Sequence, residues 1–117
     1  MKKIKIIFLV LPHTHLLDLA GPDQVFLEAK DYGLPLDVIF CGLTEQIPTT
    51  SGLSINKLRK FSKVKVSPGD YIIVPGADVK FLTSKSIPCE SEVRQWLHRA
   101  YSSGAYICSV CTGAFFL

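Results

Sequence analysis

Apolar residues in this chain fall into two patterns that take turns along it. Ile6–Leu11, Leu36–Cys41 (LDVIFC), Tyr71–Val74 (YIIV) and Ala105–Val110 are short, nearly unbroken apolar runs, β-branched in part. Such runs predict strands buried on both faces of a parallel sheet, the first extending over Ile4–Leu11. Between them, apolar positions recur at helical spacing. In Glu90–Ser102, the residues Val93, Trp96, Leu97, Ala100 and Tyr101 make one stripe at i, i+3, i+4, i+7 and i+8. Glu90 and Glu92 open that helix, His98 and Arg99 close it, and Gly104 follows, as the helix dipole and a glycine cap favour. An earlier helix is expected to start at Gly21-Pro22-Asp23, after a loop over Pro12–Ala20. It would turn Val25, Phe26 and Ala29 inward and end at Gly33. Ile47–Thr50 and Leu53–Asn56, around Ser51-Gly52, read as a small hairpin. Strands alternating with helices predict an α/β domain: a parallel sheet with helices on both faces.

Composition narrows this reading little. The 117 residues suffice for one core and one domain, 1–117, and 48% of them are hydrophobic, as in a folded globule. A net charge of +3 is too small to imply a nucleic-acid surface. Its densest patch, Lys57–Lys65 (KLRKFSKVK), reads as a solvated sheet edge whose charges discourage strand pairing. The start, MKKIKIIFLVLP, has the outline of a signal peptide, but Lys5 interrupts the apolar run and no small-x-small site follows. No segment has membrane-spanning length. A cytoplasmic location is therefore expected, with the four cysteines as reduced thiols.

The chemistry gathers in YICSVCTGAFFL, residues 106–117. Cys111 stands where the last strand should hand over to a helix, ahead of the small Thr112-Gly113-Ala114 step. That placement suits a nucleophile elbow, in which following N–H groups favour thiolate over thiol. Cys108 would lie inside the strand as a packing residue. A thioredoxin-like pair would put both cysteines in the turn, whereas Ser109-Val110 continues the strand. With His13 and His15 the two cysteines make a conceivable zinc set, but the spacing does not demand it. The histidines are expected as loop residues near the rim, with no metal, and Cys41 and Cys89 as structural or incidental. Asp18 is either a helix-entry hydrogen bonder or a site carboxylate. Pro75-Gly76-Ala77 reads as an ordinary turn whose glycine would also let backbone N–H groups approach an oxyanion. Phe115-Phe116-Leu117 would be the first core-facing residues of a helix that nothing completes, so the sequence is expected to be the N-terminal part of a larger domain.

Together, LDLAGP (Leu17–Pro22) with QVF after it, SGL (Ser51–Leu53), IIVPGA (Ile72–Ala77), WL (Trp96–Leu97) and SVCTGAFFL (Ser109–Leu117) resemble the ThiJ/PfpI superfamily over essentially the whole chain. These are class I glutamine amidotransferase-like proteins. The resemblance implies a flavodoxin-like sheet, here truncated after the elbow. The D-x-x-G-P and SVCTGAF pairing is similar to two groups: N-terminal sensor domains of AraC-type transcriptional regulators, and isonitrile hydratases. It implies Cys111 as the elbow nucleophile and Asp18 as the acid near it. It further implies an oxyanion site from the backbone of Gly76 and Ala77 with the N–H of Thr112, Ala77 standing where the family has a second glycine. Thr112 replaces the histidine that follows the cysteine in PfpI-type proteases, which disfavours proteolysis. The leading expectation is a regulator's sensor domain that forms a homodimer and binds a small-molecule ligand or electrophile. It would touch no nucleic acid or membrane itself and need no cofactor. The alternative is a hydratase. There the Cys111 thiolate attacks an isonitrile carbon, Asp18 manages protons, and water releases an N-substituted formamide.

Overall fold

A computed structural model of the chain describes residues 2–84 and 87–117. In chain order the elements are β1 (Ile4–Leu9), α1 (Leu16–Asp31), β2 (Leu36–Gly42), β3 (Ile47–Pro48), β4 (Ser54–Ile55), β5 (Arg59–Lys60), β6 (Tyr71–Val74), α2 (Val79–Leu82), α3 (Glu90–Ser102) and β7 (Tyr106–Ser109). Single 3-10 segments cover Phe61–Lys63 and Cys111–Phe116. The main sheet has the order β5-β2-β1-β6-β7, and every pairing in it is parallel. The β3–β4 hairpin stands apart, with Ile47 opposite Ile55.

The unbroken apolar runs are sorted by the two-residue period of a strand. From β1 and its extension, Ile6, Phe8 and Val10 face Leu19, Phe26 and Ala29 of α1 and Ile47 and Ile55 of the hairpin. The alternate residues Ile7, Leu9 and Leu11 face Val93, Trp96, Leu97 and Ala100 of α3, together with Phe116. Each such fully buried side chain is worth about 1.5–3 kcal/mol of transfer free energy. Both faces are therefore core, which is why β1 carries no polar alternation.

Both long helices end alike. Gly33 and Gly104 take φ of 103° and 104°. Leu34 N–H donates to Ala29 O and Gly33 N–H to Lys30 O, and Ala105 and Gly104 repeat the pattern onto Ala100 and Tyr101. These are Schellman caps, which need a residue that enters the left-handed region without cost.

Several expectations need correction. α1 starts at Leu16 rather than Gly21, so Pro22 lies inside it. One i→i−4 bond is given up there, while Leu19, in the turn before, is anchored in the core. Val25 is 64% exposed and Tyr101 67%, each turned off the edge of its helix's buried stripe. Of the last three residues only Phe116 is buried; Phe115 and Leu117 are exposed. α2 and the Phe61–Lys63 segment are too short to leave a periodic trace. The Lys57–Lys65 expectation holds: β5 is an edge strand, and Arg59 and Lys60 are exposed. Among the described residues no helix is long and apolar enough to cross a membrane.

The order of the strands places the site. From β1 the chain moves outward to β2 and β5, then returns to the other side of β1 to lay down β6 and β7. The strand order reverses between β1 and β6, and the crevice beyond their carboxyl ends is where open α/β sheets bind ligands.

Candidate active site

Three loops converge on that crevice. After β1, the chain enters α1 with His15 as N-cap and Asp18 in the first turn. After β6, Pro75-Gly76-Ala77 crosses the same rim. After β7, Val110 remains extended (φ −119°, ψ 132°) and Cys111 then swings to φ 51°. A non-glycine residue in the left-handed region costs about 1–2 kcal/mol, so its surroundings must hold it there. They do so from both sides. Val110 N–H donates to Val74 O and Gly113 N–H to Val110 O, each at 3.0 Å. Gly113 is pressed onto β6 so closely that a Cβ would overlap the Val74 carbonyl oxygen and lie 2.9 Å from that of Pro75. The backbone thus has the strand, sharp turn and helical segment of an elbow, and Cys111 at its tip is exposed. Left-handed φ is no signature by itself, since His13, Lys57 and Cys89 share it.

Gly76 is the point where the loops meet. A Cβ built on it would overlap Asp18 Oδ2, and would lie 3.0 Å from Thr112 Oγ1 and 3.3 Å from Cys111 Cβ. Asp18, Thr112 and Cys111 therefore surround a gap that only glycine leaves open. Asp18 Oδ2 is shut off from solvent and accepts no hydrogen bond. Of the two readings left open by the sequence, the capping one is excluded for this oxygen. His15 Nδ1 lies 3.7 Å from it, at ion-pair rather than hydrogen-bond distance.

The Gly76 peptide is fixed by two donors to its carbonyl: Thr14 Oγ1 at 3.0 Å and His15 N–H at 2.8 Å. In a planar trans peptide the following N–H points the opposite way. That N–H belongs to Ala77, and it donates to Thr112 Oγ1 at 3.1 Å while the Thr112 hydroxyl donates back to Ala77 O at 2.9 Å. Here the expected oxyanion set must be corrected: Ala77 N–H is engaged in fastening the elbow to the β6 loop. Two of the expected donors remain. Thr112 N–H is among the first of its 3-10 segment and has no acceptor within it, and Gly76 N–H has no acceptor among the described residues.

The other cysteines differ from Cys111 in ways that matter for chemistry. All four are free thiols. Cys41, on β2, is fully buried, and burial pushes its thiol up to about 12. Cys108 pairs with Ile73 inside β7 and packs against the α1-side core; burial pushes it up as well. Cys89 is exposed at the N-cap of α3. His13 stacks edge-on against Phe81, ring centroids 5.4 Å apart. Among the described residues, no group of three or more His, Cys, Asp or Glu is placed to hold a metal ion. The sequence reading missed the approach of His15 to Asp18, because it put the helix start after both. With α1 begun at Leu16, their i, i+3 spacing would have flagged them.

The sequence matches the DJ-1/PfpI family over residues 4–117. No curated protein matches it. Its fold is similar to that of a THiJ/PfpI family protein from Pseudomonas syringae, at 22% identity and TM-score 0.78, covering 100% of this chain and 46% of that one. It is also similar to an AraC family transcriptional regulator from Pseudomonas putida (15% identity, TM-score 0.75, 97% of this chain and 58% of that one). A third likeness is to DJ-1beta from Drosophila melanogaster (20% identity, TM-score 0.73, 100% and 59%). The chain spans about half the length of these structures.

Proposed function

The chain belongs to the DJ-1/PfpI family, and from that premise we propose that it is the ligand-sensing part of an AraC-type transcriptional regulator, with Cys111 as the group that meets the ligand. The observation that carries this is the exposed Cys111 at φ 51°, beside the buried Asp18 oxygen and the Gly76 gap. An exposed thiol on a fixed turn can bind or react with a small electrophile while the sheet beneath stays intact. Similarity of fold to a regulator of the AraC family supports the assignment. In this reading the protein acts in the cytoplasm as a homodimer, and DNA contact belongs to a separate module.

The second reading, an isonitrile hydratase, is favoured by one observation: a carboxylate oxygen without a partner next to the thiol. There Asp18 takes the Cys111 proton, the thiolate adds to the isonitrile carbon, and that carbon takes the proton back from Asp18 to give a thioimidate. Water then adds to it and the sulfur leaves as the Cys111 thiol, releasing the N-substituted formamide. Incubating the full-length protein with an aryl isonitrile separates the two. Formamide formation that vanishes in Cys111→Ala supports the enzyme. No turnover, with a covalent adduct from a simple electrophile found on Cys111, supports the sensor. Neither product nor adduct at Cys111 contradicts both.

A further inference from the structure

Thr14, in the loop between β1 and α1, is fully buried, and three segments meet on it. Its carbonyl accepts the N–H of Thr50 at 3.1 Å. It forms single β-bridges to Thr49, in the turn of the β3–β4 hairpin, and to Ala77, in the β6 loop. Its hydroxyl donates to Gly76 O at 3.0 Å. On the elbow side, the Thr112 hydroxyl accepts from Ala77 N–H at 3.1 Å. The two threonines therefore hold one peptide group, Gly76 C=O to Ala77 N–H, by its two ends. Each follows a non-glycine residue in the left-handed region, His13 at φ 62° and Cys111 at φ 51°. That conformation persists only where the surroundings over-determine it. A hydroxyl donating to an amide carbonyl also polarises the amide N–H, so the bonds at the two ends strengthen each other by about 10–30%.

We propose that Thr14 is a positioning residue for Cys111. From the β1 loop it aims the Gly76–Ala77 peptide so that Ala77 N–H meets the Thr112 hydroxyl, and that bond keeps the elbow in its left-handed turn. The inference rests on the reading of Cys111 as the reactive thiol and names what holds that thiol in place. Thr14 acts through the peptide, not on the sulfur. Gly76 O already accepts His15 N–H at 2.8 Å, so the second donation adds direction and does not rescue a bare oxygen. Removing the Thr14 hydroxyl consequently leaves no buried acceptor unpaired, and its effect on the elbow separates from a loss of fold.

The test uses the full-length protein and two readouts. Thr14→Val keeps the side chain's shape and removes the hydroxyl, whereas Thr14→Ser keeps the hydroxyl. In Thr14→Val, amide hydrogen exchange followed by NMR is expected to quicken at Ala77 by about two- to tenfold, the net worth of one hydrogen bond. That gain should exceed any change at Tyr106, whose N–H is held by Asp70 O at the opposite end of the sheet. Iodoacetamide labelling of Cys111 relative to Cys89 should fall by a similar factor, and Thr14→Ser should restore both readouts. In Thr112→Val the Ala77 N–H has already lost its acceptor, so adding Thr14→Val should change neither readout further. Exchange at Ala77 that moves only in step with Tyr106 overturns the proposal. So do additive effects of the two valines, or an unchanged labelling ratio in a protein whose Cys111 leads Cys89. If Cys111 does not lead Cys89 in the unsubstituted protein, the functional reading falls, and exchange at Ala77 still decides whether Thr14 holds the elbow.

Discussion

At the residue scale, Gly76 and Gly113 are both hemmed in, but by different atoms. A methyl at Gly113 meets the Val74 and Pro75 carbonyls, which are backbone; a methyl at Gly76 meets the end of the Asp18 side chain. Gly76→Ala should therefore spare the fold and disturb the site. Its stability loss is expected at about 1 kcal/mol, or about 4–8 °C in melting temperature for a domain of this size. Adduct formation at Cys111 is expected to slow by about tenfold or more as Asp18 is displaced. Unchanged reactivity with Asp18 displaced would show that the carboxylate does not serve the thiol. Cys111, Thr112, Gly76 and Asp18 were legible in the sequence as points on one rim, because strand ends and small residues mark them. The engagement of Ala77 was not. It depends on a hydroxyl from a segment 35 positions away reaching its N–H, and no local pattern encodes that distance.

At the scale of elements, α3 was readable from end to end because its caps, charges and stripe all agree. α1 was not, since Pro22 suggests a beginning where the helix is already under way. The turn before it is helical all the same, with Leu19 buried against the sheet. The displaced start hid His15 as a neighbour of Asp18. β2 carries a prediction of its own. Burial raises Cys41 from 9.0 to about 12, so the unfolded chain loses that proton at lower pH than the folded one. The contribution to stability is complete below pH 9 and is lost as pH rises towards 12. Urea unfolding should show stability declining over that window by up to about 1.4 kcal/mol per pH unit from this thiol. Cys41→Ala should have a shallower alkaline slope, whatever its stability at neutral pH. An identical slope in the variant would show that Cys41 ionises equally in both states.

At the scale of the whole molecule, the class of fold followed from apolar runs alternating with helices, but the strand order did not. Nothing in Tyr71–Val74 announces that it lies on the opposite side of β1 from β2. That choice comes from packing α1 and α3 on opposite faces of one strand. It is also what brings Asp18 and Gly76 together, because it reverses the strand order between β1 and β6. The four thiols then sample four environments. Cys41 and Cys108 lie in the two cores. Cys89 and Cys111 are both exposed and both in left-handed turns, and of these two only Cys111 stands among Asp18, Gly76 and Thr112. Cys89 is thus an internal control for exposure alone. The decisive measurement is the rate at which iodoacetamide labels each cysteine of the folded protein just below neutral pH, read by peptide mass spectrometry. Cys111 should be labelled well ahead of Cys89, with Cys41 and Cys108 silent until the chain unfolds. Labelling of Cys89 as fast as Cys111 would mean that the crevice confers nothing on its cysteine beyond contact with solvent.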